Sequence, residues 1–264
     1  MYKKQLEALR QRFETYVGMF TSNNPEIQRN MDLKQEHTLR VCWEIRQLGE
    51  QLNLDTSDLY LAEVMALFHD IGRFEQYTRY QTFGDSHSVN HAELGVQVLQ
   101  RQGMLDLLDN ATQNLILRVI FYHNLATVPQ DETPQCLFFT RLLRDADKLD
   151  IWKVVIDYYY DGNGHRNDAI SLGFPDTPGI SDEVYTDLMA RRIVDMQHLH
   201  NLNDFKLLQV GWIYDINFAP TFQAIQKRRY LKQIRATLPL LAQIERIFET
   251  IDDYLEVRLS TNVN

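Results

Sequence analysis

The sequence predicts an all-α fold, and three observations carry that prediction. Apolar residues recur at spacings of three and four in nearly every segment. No stretch of useful length alternates polar and apolar residues as a half-buried strand would. Between the periodic segments stand residues that start or stop helices: Ser, Asn and Asp on one side, Gly and Pro on the other. There is no internal repeat and no low-complexity tract.

The elements follow in order. Residues 2–20 place Leu6, Leu9, Phe13, Val17 and Phe20 on one helical stripe, and Ser22-Asn23-Asn24-Pro25 breaks it. Residues 31–52 align His37 with Val41, Ile45, Leu48 and Leu52, so His37 lies on the apolar face. A helix over 58–71 follows, with Ser57 as its expected N-cap and Gly72 as its stop. Residues 73–88 read as a polar, aromatic loop in which Tyr77, Tyr80 and Phe83 pack or stack on a ligand. Asn90 caps a helix bearing His91, Leu94, Val98 and Leu99. After Asp109-Asn110 comes a helix with Leu115, Val119, Ile120 and His123, then a loop over 127–134.

A long helix is expected over 135–160. The stretch from Gly162 to Ile180 holds four of the 11 glycines and two of the seven prolines, so it reads as an irregular connection. Helices over 181–199, 201–216 and 219–258 complete the chain, the last broken near Pro239. Helical sequence on both sides of the irregular connection argues for one domain over 1–264.

Bulk properties narrow the function. The chain has 264 residues, 44% of them hydrophobic, enough for a sizeable core. Its net charge is -9 and its pI near 5.4, which disfavours a nucleic-acid polymer as partner, because phosphate neutralisation needs clustered Lys and Arg. A small anionic substrate stays compatible where local cations outweigh the global sign. Two cysteines, Cys42 and Cys136, can build neither a disulfide framework nor a Cys-rich zinc site, and read as buried thiols of a reducing compartment. No apolar run approaches the ~20 residues that cross a bilayer, and residues 1–7 lack the apolar core of a signal peptide. The expectation is a cytoplasmic protein with no membrane partner.

The chemistry centres on Phe68-His69-Asp70-Ile71-Gly72-Arg73, where a histidine and an aspartate end an otherwise apolar run. Buried polar groups of that kind need a partner. His37, His69, Asp70, His91, His123 and one aspartate among Asp145, Asp147 and Asp150 lie on five successive helices. Imidazole and carboxylate suit Fe, Mn, Co, Ni or Zn. An adjacent His-Asp pair allows the aspartate to bridge two ions while the histidine binds one. Six ligands exceed what one open catalytic ion takes, and favour two ions about 3.5–4 Å apart. A single histidine is more often a hydrogen-bonded core or surface residue, and His87, His165, His198 and His200 are assigned that role. His87, four residues before His91, is the competitor for that ligand position.

The ordered set His37, His69-Asp70, Asp147 resembles the HD-domain superfamily of metal-dependent phosphohydrolases. His91 and His123 between them resemble its six-ligand, binuclear branch. The local words agree: His69-Asp70-Ile71-Gly72-Arg73, Asn90-His91-Ala92-Glu93-Leu94-Gly95 and Arg144-Asp145-Ala146-Asp147-Lys148-Leu149-Asp150. The resemblance covers about residues 30–155, with residues 181–258 as a C-terminal helical extension, and it selects Asp147 among the three aspartates. It implies His37, His69 and Asp147 on one ion, His91 and His123 on the other, and Asp70 as the bridge. It further implies water activated by divalent metal ions attacking a phosphate ester of a nucleotide or other small molecule. Arg73 and Lys148, each directly following a ligand, are the cations expected to face the substrate, with Arg144 third. Some six-ligand HD proteins instead use a di-iron centre to oxidise carbon with O2, and a non-catalytic metal-containing regulatory module is the remaining alternative. The segment Gly211–Phe218 is familiar from uncharacterised HD proteins, and packing is the expectation for its aromatics.

Overall fold

Helix accounts for 73% of the described residues and no strand occurs among them, so the expected all-α class is what is found. The structure is a computed structural model that describes residues 2–160 and 167–261. His165 and the start of the irregular connection at Gly162 lie outside them. Two compact units are present, Met1–Asp150 and Ile151–Asn264.

The first unit carries the helices that matter for the site. Helix α1 spans Tyr2–Gly18. Helix α2 runs Pro25–Gln51, starting six residues before the expected position. Asn24 and Pro25, expected only to break the chain, begin the next helix. The Asn24 side chain accepts from the backbone N–H of Glu26 and Ile27, and proline is tolerated where its missing N–H would be unused. Helix α3, Thr56–Phe68, is capped by Asp55 rather than Ser57: the carboxylate accepts from the N–H of Ser57 and Asp58 at 2.8 and 2.9 Å. From Ala62 to Phe68 every side chain of α3 is buried, and all but Glu63, which pairs with Arg10, are apolar.

Residues 72–80 correct the sequence reading. They form a helix, α4 (Gly72–Tyr80), not a loop, and Gly72 starts it rather than stopping α3. The glycine is there for space. A Cβ at Gly72 would lie 2.6 Å from the backbone nitrogen of Gly95 and closer still to the carbonyl oxygen of His91. Helix α4 thus packs backbone against α5 (His91–Arg101), at the turn that carries a candidate ligand. Phe13 meets Phe68 and Phe74 edge-on, with centroids 6.3 and 6.1 Å apart, and ties α1 to α3 and α4. Helix α6 spans Asn110–Tyr122 and is capped by Asp109. Helix α7 runs Pro134–Tyr160.

In the second unit the expected helices are shorter than the periodicity suggested. A four-residue α8 (Asp168–Ser171) interrupts the expected irregular stretch. Helix α9 (Asp182–Met189) stops there instead of continuing to 199. There Arg191 adopts φ +56°, and Arg192 and His198 both donate to Asp187, folding the following segment back. Helix α10 spans Leu202–Gly211, followed by a 3-10 turn over Trp212–Asp215. The stretch expected over 219–258 is three helices: α11 (Ala219–Arg228), α12 (Tyr230–Ala236) and α13 (Ala242–Thr261). The break near Pro239 is found, and a second occurs at Arg229, φ +57°. Trp152 is fully buried in this unit and donates to the Gln209 carbonyl at 2.9 Å. Trp212 and Tyr214 of the Gly211–Phe218 segment pack against Trp152 and Tyr254.

Candidate metal centre

Four helix ends and two helix interiors of the first unit bring the predicted residues together. His37 comes from the middle of α2 and Asp147 from α7. His69 and His123 are the residues immediately after the last helical residue of α3 and α6. Asp70 lies between α3 and α4, and His91 is the first residue of α5, whose N-cap is Asn90. All four histidines and Asp70 are buried.

Two groups result: His37, His69 and Asp70, and Asp70, His91 and His123. Within each, the potential ligand atoms lie within 4.8 Å of one another. Asp70 belongs to both, and its two oxygens divide between them. Oδ2 is 3.6 Å from His37 Nε2 and 3.8 Å from His69 Nε2, whereas Oδ1 is 3.4 Å from His91 Nε2. Asp147 joins the first group: its Oδ1 is 3.1 Å from His37 Nε2 and 3.6 Å from His69 Nε2. These two imidazole nitrogens and Asp147 Oδ1 are buried without a hydrogen-bond partner. Buried polar atoms are seldom left so, and here they face one another.

The other nitrogen of every ring is occupied. His37 Nδ1 is 2.7 Å from Asp150 Oδ2, and His91 Nδ1 is 2.6 Å from Asp85 Oδ2. His69 Nδ1 donates to the Ala66 carbonyl at 2.7 Å, and His123 Nδ1 to the Ile120 carbonyl at 2.6 Å. Each acceptor places the ring proton on Nδ1 and leaves the Nε2 lone pair facing inward, which is how metal-ligating histidines are oriented. Asp150 in turn accepts two hydrogen bonds from Arg40, at 2.6 and 3.1 Å. Asp85 accepts from Arg73 at 2.8 Å, Gln76 at 2.9 Å and Asn124 at 3.2 Å. With both Nδ1 atoms protonated, His91 Nε2 and His123 Nε2 present lone pairs to each other at 3.1 Å, an arrangement that calls for a cation.

The charge states agree. Burial and then the Arg73 charge lower the pKa of His91; burial and then the neighbouring His91 and His69 lower that of His123 to about 3. Both rings are neutral at physiological pH. Burial pulls His37 down, but the carboxylates of Asp147 and Asp150 outweigh it and leave it raised. Burial raises Asp70, but Lys34, His69, Arg73 and His91 hold it well below the usual carboxylate range. Asp147 is held low in the same way by His37 and His69.

The three aspartates that periodicity left open now separate in part: Asp147 faces the His37–His69 group, whereas Asp150 supports His37 from behind. His87 is exposed, with Nδ1 3.1 Å from Ser86 Oγ. His198 is bonded to Asp187, and His200 donates through its backbone N–H to Asp204. Among the expected cations, Arg73 Nη1 donates to Gln76, the Phe83 carbonyl and Asp85, while its Nε lies 3.4 Å from Asp70 Oδ1. Arg144 donates to the carbonyls of His123 and Leu125. Lys148 is buried, with Nζ 3.4 Å from the Arg144 carbonyl. Tyr77 and Phe83 pack on each other with centroids 4.7 Å apart, and Tyr80 is exposed. Sequence reasoning missed Lys34, whose Nζ is 2.8 Å from Asp70 Oδ2, although its position one turn before His37 on the same helix was a usable signal. It also missed Asp85, for which no periodicity exists to read.

No described helix is long and apolar enough to cross a membrane. Residues 35–152 match the family model described as HD domain. Neither the curated proteins nor the solved structures searched gave a match.

Proposed function

Because residues 35–152 of this chain are an HD domain, a family that suggests metal-dependent hydrolase activity, we propose that the protein is a phosphohydrolase acting on a phosphate ester of a nucleotide or another small molecule. The observation that carries the reading is the divided carboxylate of Asp70, one oxygen toward each group of inward-facing Nε2 atoms. In this reading His37, His69 and Asp147 would hold one divalent ion and His91 and His123 a second, with Asp70 common to both groups. Such ions, Fe, Mn, Co, Ni or Zn, lower the pKa of water toward neutrality and offset charge on phosphoryl oxygens.

The residues of the chain supply the rest. Asp150 and Asp85 accept from Nδ1 of His37 and His91 and so direct the Nε2 atom of each ring inward. Arg73 positions Asp85 through Nη1 and places its Nε beside the bridge. Lys148, next to Asp147, is the second cation assigned to the substrate. Charge selects the substrate class. Four carboxylates (Asp70, Asp85, Asp147, Asp150) and four cations (Lys34, Arg40, Arg73, Lys148) balance on the protein groups named around the site. Two divalent ions would leave a positive surplus, suited to a phosphate dianion.

The test is a metal and activity survey. Protein purified without chelator is analysed for metal identity and ratio, then assayed on a panel of phosphate esters with and without added Mn(II). The expected result is two ions per chain and metal-dependent phosphate release. A saturating ratio of one ion per chain overturns the bridge. O2 uptake without phosphate release from any ester moves the assignment to an oxygenase.

A further inference from the structure

We propose that Lys34 is a substrate-binding residue of the metal centre: its ammonium pairs with Asp70 at the edge of the site and is placed to engage a phosphoryl oxygen of a bound substrate. This rests on the phosphohydrolase reading and adds to it a residue that no resemblance supplied.

Position is the first argument. Lys34 lies one turn before His37 on α2, on the same face. Its Nζ is 2.8 Å from Asp70 Oδ2, the oxygen directed at the His37–His69 group. The side chain of Lys34 is 17% exposed while that of Asp70 is 4% exposed, so the lysine lies nearer the outer edge of the site than the carboxylate. Its nitrogen stands 5.1 Å from the centre of the Phe83 ring, an apolar wall along which a lysine can move its charge without losing contact.

Donor capacity is the second. An ammonium has three N–H donors. Among the described residues, Asp70 is the one hydrogen-bonding partner of Lys34, which leaves two donors for a ligand. Arg73, the cation on the other oxygen of Asp70, differs: its Nη1 is committed to three acceptors that build the Asp85 network. Nη1 of Arg73 is thus taken up by structure, whereas two of the three Lys34 donors remain available. A carboxylate oxygen that turns its lone pairs toward divalent ions also has less to offer an ammonium 2.8 Å away, and the two positive charges repel. Ions held there would weaken the Lys34–Asp70 pair, and a phosphoryl oxygen would be the acceptor that takes it over. Lysine binds such oxygens as a point charge.

The experiment uses the full chain loaded with Mn(II), as wild type, Lys34→Met, Lys34→Gln and Lys34→Arg, with circular dichroism melts as the folding control. Metal content, the Kd of inorganic phosphate by calorimetry, and kcat and KM on the best ester are measured for each. Lys34→Met and Lys34→Gln are expected to keep both ions, to bind phosphate at least tenfold more weakly and to raise KM more than they lower kcat. Lys34→Arg is expected to recover part of the phosphate affinity. An unchanged phosphate Kd with full metal content overturns the proposal and reduces Lys34 to neutralising Asp70. Loss of metal in the folded variants overturns it too, by assigning Lys34 to holding the bridge. If wild type itself binds no phosphate and cleaves no ester, the phosphohydrolase reading fails first and this proposal falls with it.

Discussion

Replacing Asp85 by asparagine isolates one half of the proposed metal centre. Four donors converge on this carboxylate: His91 and Asn124 on Oδ2, Arg73 and Gln76 on Oδ1. Asparagine keeps the shape but has one oxygen and one NH2 group. Whichever way it turns, two donors face another donor, and the charge opposite Arg73 is gone. Burial raises the Asp85 carboxyl, but the His91 hydrogen bond and the Arg73 charge hold it far below its ordinary value, so the substitution removes a full charge at any working pH. Partners of this type contribute roughly 10–100-fold to metal affinity, which corresponds to about 1.4–2.7 kcal/mol. The loss should fall on one ion only, since His91 belongs to the group Asp70, His91 and His123 and not to the other. Titration against a chromogenic chelator should show two binding phases in wild type. In Asp85→Asn one phase weakens 10–100-fold and the other stays. If both phases move together, or neither moves more than about twofold, the division into two separately supported halves is wrong.

The remaining predictions concern packing, ligand identity, thiol chemistry and pH. Gly72→Ala should destabilise the protein by about 1–3 kcal/mol in urea unfolding, because the new Cβ meets the backbone of α5 rather than a side chain that can move. His91→Ala should lower metal content in elemental analysis while His87→Ala leaves it unchanged, since only the first ring is buried in the cluster. Burial, and then the charge of Glu63, push the Cys42 thiol up to about 12, so it should resist a disulfide reagent at pH 8 until urea is added. Lowered values for His91 and His123 mean the unfolded chain takes up their protons first as pH falls below 6.5. The raised value of His37 opposes this, stabilising the folded state below 6.5. Because His123 is held down to about 3, the urea midpoint of chelator-treated protein should fall between pH 7 and pH 5, and a higher midpoint at pH 5 contradicts the assignment.

The all-α fold and the helices bearing the candidate ligands were legible because each ligand extends an apolar stripe, as His37 extends Val41, Ile45 and Leu48. What was hidden falls into two kinds. Gly72 and Arg191 were misjudged because the sequence does not show which backbone approaches which, or where a non-glycine residue takes positive φ. Gly72 mimics a stop signal but is a close-packing position. Asp85 and Lys34 were missed for a different reason: supporting groups answer to three-dimensional distance alone. Asp85 lies in a 3-10 turn 39 residues from Asn124 in the chain yet bonds to it.

His69 and His123 also close helices. Each follows the last residue of its helix and donates to a carbonyl three residues back, one of those the final turn leaves without an intrahelical partner. For these two rings the orienting group is main chain, which no substitution can delete. His37 and His91 lean on carboxylates that a single nucleotide change can remove. Tolerance to mutation is therefore uneven across the centre. Each group contains one ring anchored by peptide and one anchored by side chain, so adaptation can retune either half through Asp150 or Asp85 while its other imidazole stays where the helix ends.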